Sequence, residues 1–231
     1  MKRAPAWAVK GEVPVLIEAR GVQLEGRLSI PEGARGLVVF AQPSGCGRKS
    51  LRYPFVARRF FEGGLATLLL DLLTDGERAV DRLTGKFRFN LDLLAGRLIG
   101  VTDWARNQPD LAPLRLGYFA SSTGAAAAFV AAGSAGCKVG AVVSRGGRPD
   151  LAGGAISRVE VPALFIVGGE DRKLLALNRE SMEKLSAEKR LEVIAGAGRH
   201  FREPGALEDL AWLAREWFLE YLDGGIDCEV F

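Results

Sequence analysis

Histidine is almost absent from this chain. His200 is the single one among 231 residues, so any imidazole chemistry runs through one position and a histidine-based metal cluster is not expected. Cysteine is nearly as scarce. Cys46, Cys137 and Cys228 are odd in number and lack metal-ligand spacing, which excludes a disulfide framework and reads as reduced thiols in a cytoplasmic protein. No uninterrupted apolar run approaches the roughly 18 residues of a membrane span. Met1-Lys2-Arg3-Ala4-Pro5-Ala6-Trp7 carries charge without an apolar stretch behind it, so a signal peptide is not expected. Charge of one sign is lacking too: 31 basic against 28 acidic residues leave +3, and no basic run is interleaved with aromatics, so nucleic acid is not an expected partner. The 29 glycines have no period and no apolar heptad persists, which removes collagen-like and coiled-coil classes.

What remains is an apolar fraction of 48%, enough for a globular core without metal or disulfide support. The length fits one α/β domain over residues 1–231. Val13–Ala19 and Val22–Ser29 read as strands joined around Arg20-Gly21, an antiparallel hairpin. Continuous apolar runs at Gly36–Ala41, Leu65–Leu70, Leu114–Ala120, Val139–Ser144 and Ala163–Val167 read as strands buried on both faces of a parallel sheet. Between and after them, Tyr53–Glu62, Leu91–Ala105, Thr123–Ala132, Leu174–Ala187 and Leu207–Leu222 read as helices, with a last short strand at Leu191–Ile194. The alternation predicts an α/β fold: a mostly parallel, doubly wound sheet with an N-terminal antiparallel hairpin. Asp71–Phe89 and Arg145–Arg158 carry no clear period, and both follow buried strands at the carboxyl edge, where α/β ligand sites form.

The Leu114–Ala120 strand runs through Ala120-Ser121-Ser122-Thr123-Gly124 into an alanine-rich helix. A nucleophile elbow needs small residues two before and two after the nucleophile, because the strand-to-helix turn is tight. Centring on Ser122 places Ala120 and Gly124 there, whereas centring on Ser121 would place Phe119 and Thr123 in the turn. The bland alternative is a serine that merely caps the helix. A serine needs a base, and the base a third group to hold it. Asp171 follows the Ala163–Val167 strand, and His200 lies in the glycine-rich loop after the last strand, so the chain order is Ser…Asp…His. Glu170 is an alternative acid. Backbone N–H groups of Thr123 and of Ser44, in Ala41-Gln42-Pro43-Ser44-Gly45-Cys46-Gly47, are candidates for an oxyanion hole, while Pro43 has no N–H to give. Cys46 has no basic partner in sequence and is set aside as a nucleophile.

With those residues in view, the chain resembles the α/β-hydrolase superfamily and, within it, the dienelactone-hydrolase-like group. The resemblance rests on Phe119-Ala120-Ser121-Ser122-Thr123-Gly124-Ala125-Ala126-Ala127-Ala128, Val142-Val143-Ser144-Arg145-Gly146-Gly147-Arg148-Pro149-Asp150-Leu151 and His200-Phe201-Arg202-Glu203-Pro204-Gly205-Ala206-Leu207. It implies the α/β-hydrolase fold and hydrolysis of an ester or lactone by Ser122, His200 and Asp171. The chain departs from the group at two places: dienelactone hydrolases use a cysteine nucleophile where Ser122 stands, and the His-Gly pair common in the oxyanion loop is Gln42-Pro43 here.

Arg145 and Arg148, after the Val139–Ser144 run, are candidates to pair with a substrate carboxylate, the bland alternative being structural or solvated arginines. Phe87 and Phe89 are candidates for an apolar wall or for the ordinary core. Residues 145–162 leave no room for a lid domain, so an open site is expected. The expected function is cleavage of small to medium carboxylic esters or lactones through an acyl-enzyme, with no cofactor and no metal, on a small-molecule substrate. With one imidazole, kcat/KM is expected to rise with pH through a single apparent pKa near or somewhat above ~6.5. Acyl transfer or thioester cleavage by the same triad, and a non-catalytic binder of this fold, are the competing readings. The sequence leaves homo-oligomerisation open.

Overall fold

The computed structural model describes residues 11–42 and 52–224. The elements are β1 (Val13–Ala19), β2 (Val22–Ser29), β3 (Leu37–Gln42), α1 (Arg52–Glu62), β4 (Ala66–Asp71), α2 (Asp75–Thr84), α3 (Leu91–Arg106), β5 (Leu116–Ser122), α4 (Thr123–Ala132), β6 (Ala141–Gly147), a 3₁₀ segment (Pro149–Arg158), β7 (Ala163–Gly168), α5 (Arg172–Glu183), β8 (Lys189–Ile194) and α6 (Ala206–Leu222). Among the described residues the strands form one eight-stranded sheet in the order β1-β2-β4-β3-β5-β6-β7-β8. β1 and β2 pair antiparallel through the two-residue turn Arg20-Gly21, whose φ values of 52° and 78° match the right-handed twist of a tight hairpin. β2 joins β4 antiparallel, and every later pairing is parallel. This is the mostly parallel, doubly wound sheet with an N-terminal antiparallel hairpin that the sequence predicts.

The apolar runs are strands because both of their faces are covered. Successive residues of β3 alternate between two cores: Val39 and Ala41 meet the α3 and α4 side, and Val38 and Phe40 meet the α1 and α6 side. Ala125–Ala128 of α4 are wholly buried, and their small side chains let this helix lie close beneath the centre of the sheet.

Asp71–Phe89 contains a helix that the apolar pattern does not announce. The one buried residue of α2 is Asp81, while Val80 and Leu83 are 45% and 89% exposed. Polar contacts hold it. Thr74 and Glu77 form a reciprocal capping box, and Arg97, buried in α3, pairs with Glu77 and donates to the Leu72 carbonyl at 2.6 Å. Paired with Arg97, the Glu77 carboxyl is pulled down to about 2. In Arg145–Arg158, β6 runs on to Gly147 before the 3₁₀ segment begins. That short segment links β6 to β7, and no lid stands between them.

Candidate active site

β5 ends in the turn that the small residues require. Ser122 is exposed and adopts φ 51° and ψ −134°, a region essentially reserved for glycine, and Thr123 opens α4 directly behind it. The pairing of β5 with β6 slips between Ala120 and Ser122, so the strand bends where the serine emerges. The Ser122 carbonyl accepts from the Arg148 N–H at 3.0 Å. Thr123 is buried, and as the first residue of a helix its N–H has no intrahelical acceptor. Ser44 and Cys46 lie outside the described residues.

Asp171 closes the loop after β7. Its Oδ1 caps α5 by accepting from the Leu174 N–H at 3.1 Å, and its Oδ2 accepts from Arg199 Nε at 2.7 Å. Burial pushes its carboxyl up, but the Arg199 guanidinium, the Leu174 N–H and the charge of His200 together bring it below the usual range. Glu170 is exposed, which leaves Asp171 as the better-held acid.

His200 follows β8 in a loop pressed against the ends of β6 and β7. A Cβ on Gly168 would collide with the carbonyls of Ala197 and Gly198, and one on Gly146 would stand 3.0 Å from the Arg199 carbonyl. Arg52 Nη1 donates to the His200 carbonyl at 2.8 Å, and Phe201, fully buried with φ 50°, anchors the far side. The imidazole is lowered from its ordinary pKa, first by burial and then by the charges of Arg52, Arg202, Arg145 and Arg199. That reverses the direction expected from sequence: burial acts first, and to the neighbouring Arg199 and Arg202 the fold adds Arg52 and Arg145 from distant parts of the chain.

All three residues thus stand at the carboxyl edge of the sheet. The structure does not join them by hydrogen bonds: among the described residues none links Ser122 to His200 or His200 to Asp171, and Arg199 holds the Asp171 oxygen instead.

Arg145 and Arg148 have different surroundings. Arg148 is bidentate on Asp150, at 2.8 and 2.7 Å, so its guanidinium is already occupied. Arg145 is 7% exposed, lies 5.3 Å over the Tyr53 ring and 5.5 Å over the Phe201 ring, and has no hydrogen bond or ion pair among the described residues. Phe87 packs on the α3 side of the core, and Phe89 is 65% exposed. A cavity of about 770 Å³ lies to the flank, against Leu16, Glu25, Arg27, Leu69 and Asp71, and touches the site's side of the sheet at Gln42. None of the three candidate catalytic residues lines it. Sequence reasoning missed Tyr53, Arg52 and Arg199. Arg199 adjoins the histidine but nothing marks its partner, and Tyr53 reaches the elbow across 68 residues of chain, where its hydroxyl hydrogen-bonds Ser121 Oγ.

Compared with models of known protein families, the chain matches none. Two curated Mycobacterium tuberculosis proteins, from strains CDC 1551 and H37Rv and provisionally named phosphoribosyl transferases, are each 48% identical over 210 residues. That covers 91% of this chain but 46% of theirs, so it spans about half the length of these relatives. A dienelactone hydrolase from Anabaena variabilis superposes with a TM-score of 0.88 at 49% identity, over 91% of this chain and 98% of that one. Est1E from Butyrivibrio proteoclasticus (TM-score 0.72, 14% identity) and the dienelactone hydrolase-like phosphotriesterase P91 from metagenomic libraries (TM-score 0.71, 17% identity) share the fold, over 90% and 91% of this chain and 98% of theirs. By its likeness to the Anabaena protein over nearly the full length of both, the chain belongs to the dienelactone hydrolase family of α/β-hydrolases.

Proposed function

We propose that the chain hydrolyses small to medium carboxylic esters or lactones through an acyl-enzyme on Ser122. The observation that carries the reading is the strained backbone of Ser122 between β5 and α4, because a φ of 51° at a non-glycine residue persists only where the surrounding structure enforces it. His200 takes the Ser122 Oγ proton as the oxygen attacks the ester carbonyl. The tetrahedral oxyanion accepts from the Thr123 N–H and from a second donor, for which Ser44 is the candidate. The carbon–oxygen bond breaks, the alcohol leaves with the proton from His200, and water repeats the cycle on the acyl-enzyme to release the acid. Asp171 orients the imidazole and offsets its charge. Hydrogen bonds of such triads commonly tighten only with substrate in place.

Arg145 supports a preference for substrates with a carboxylate or another anionic group. Its guanidinium is held between two rings, its N–H edge has no partner among the described residues, and Arg52, Arg199 and Arg202 add positive charge around His200. Arg148 would serve only by leaving Asp150. The reading places the enzyme in the cytoplasm, acting on a small molecule without nucleic acid or membrane; no described helix is long and apolar enough to cross a bilayer. Acid release by the purified chain from a panel of p-nitrophenyl esters, lactones and thioesters tests it. Ester or lactone turnover that Ser122→Ala abolishes is the expected result. Thioester-only turnover would favour the thioesterase reading, and ligand binding without turnover a non-catalytic role.

A further inference from the structure

Tyr53 is built into the site through a single atom. Its ring is 7% exposed and stands edge-on to Phe40 and Phe119, with centroids 6.2 and 6.3 Å away, while the Arg145 guanidinium covers one face at 5.3 Å. Phenylalanine would satisfy all of that packing. The hydroxyl is the one part that packing does not need, and it hydrogen-bonds Ser121 Oγ. Ser121 directly precedes the residue held at φ 51°, whose carbonyl is fixed from the other side by the Arg148 N–H at 3.0 Å. A backbone in this region costs about 1–3 kcal/mol and relaxes unless its neighbours are held. The elbow is therefore held on one side by Arg148, just past β6, and on the other by Tyr53 of α1.

We infer that Tyr53 is a positioning residue for the nucleophile: its hydroxyl fixes Ser121 and thereby keeps Ser122 in the strained turn that presents Oγ. The inference rests on the reading of Ser122 as nucleophile. It also gives Ser121 a role that the elbow pattern leaves unexplained, since that pattern asks only for small residues around Ser122.

Tyr53→Phe and Ser121→Ala, alone and together, test it on a p-nitrophenyl ester and with a fluorophosphonate probe. A neutral hydrogen bond contributes about 0.5–1.5 kcal/mol, so each single variant should lower kcat about two- to thirteenfold with KM unchanged. The double variant should lose no more than either single one, because both break the same bond. The second-order rate of fluorophosphonate labelling should fall by the same factor, with the thermal midpoint of each variant confirming that it folds. Should Tyr53→Phe fail to fold, Ser121→Ala decides through the same kcat and labelling readouts. Unchanged kcat and labelling, additive losses, or a rise in KM at constant kcat would each overturn the inference. If the probe labels Ser122 in all the folded variants at the parental rate, only this inference fails. If it labels Ser122→Ala as fast as the parent, the reading of the nucleophile fails with it.

Discussion

Ser122 sits between a strand buried on both faces and a helix buried all round, whereas His200 hangs in a loop whose place depends on distant parts of the chain. The serine's neighbours in sequence are its neighbours in space: Ala120 and Thr123 are buried around the elbow, and the Arg148 amide just past β6 fixes its carbonyl. The histidine's surroundings come from everywhere else. Arg52 begins α1, Arg145 belongs to β6, and the bare backbones of Gly146 and Gly168 make space for the loop. The Ser122 half of the candidate site is thus specified locally, and the His200 half largely by tertiary packing and charge.

The comparison can be broken most severely at Ser122 and His200. Ser122→Ala and His200→Ala should each lower kcat/KM on the order of 10³-fold or more, since no second histidine exists to substitute. Steady-state kinetics on a chromogenic ester checks both, and a His200→Ala enzyme with near-parental turnover would exclude the triad. Asp171→Asn comes next, with an expected loss of about 10²–10⁴-fold. Glu170→Gln, altering an exposed side chain, should leave turnover nearly intact, and the opposite ranking would move the acid to Glu170.

Smaller effects probe the charge around the base. If Arg145 reads an anion, esters with a free carboxylate or phosphate should be preferred over neutral isosteres by roughly ten- to a hundredfold in kcat/KM. Arg145→Gln should remove that preference while sparing a neutral ester. Equal kcat/KM for both ester types in the parent enzyme would return Arg145 to a packing role.

The least effect concerns pH. Because burial and, after it, the surrounding cations hold the His200 pKa below its ordinary value, the base stays free, and kcat/KM for a neutral ester should persist, to a lower pH than for an unperturbed imidazole. Raising ionic strength screens the exposed Arg199 and Arg202, so the acid limb of the profile should move to higher pH. A limb that stays still in salt would leave burial alone as the cause.

The same division governs what was legible in the sequence. β3 through β7 announced themselves as apolar runs because each is buried on both faces, and Ala120 and Gly124 flank the turn in which Ser122 takes a φ of 51°. α2 did not, because its inward face is charged: Asp81 accepts from the Phe87 and Arg88 amides and pairs with the Arg88 guanidinium. Thr74 and Glu77 carried its capping signal without an apolar stripe to accompany it. The Tyr53–Ser121 bond, the Arg199–Asp171 pair and the approach of Arg52 and Arg145 to His200 join segments far apart in the chain, and no local pattern encodes them.

The central claim is that Ser122 is the nucleophile, held by its fold and activated by His200. Incubating the protein with a fluorophosphonate and locating the adduct by peptide mass measures this most directly. The account predicts one adduct, on the peptide containing Ser122, absent from Ser122→Ala and formed far more slowly in His200→Ala. An adduct on another residue, or labelling of Ser122→Ala at the parental rate, would contradict it.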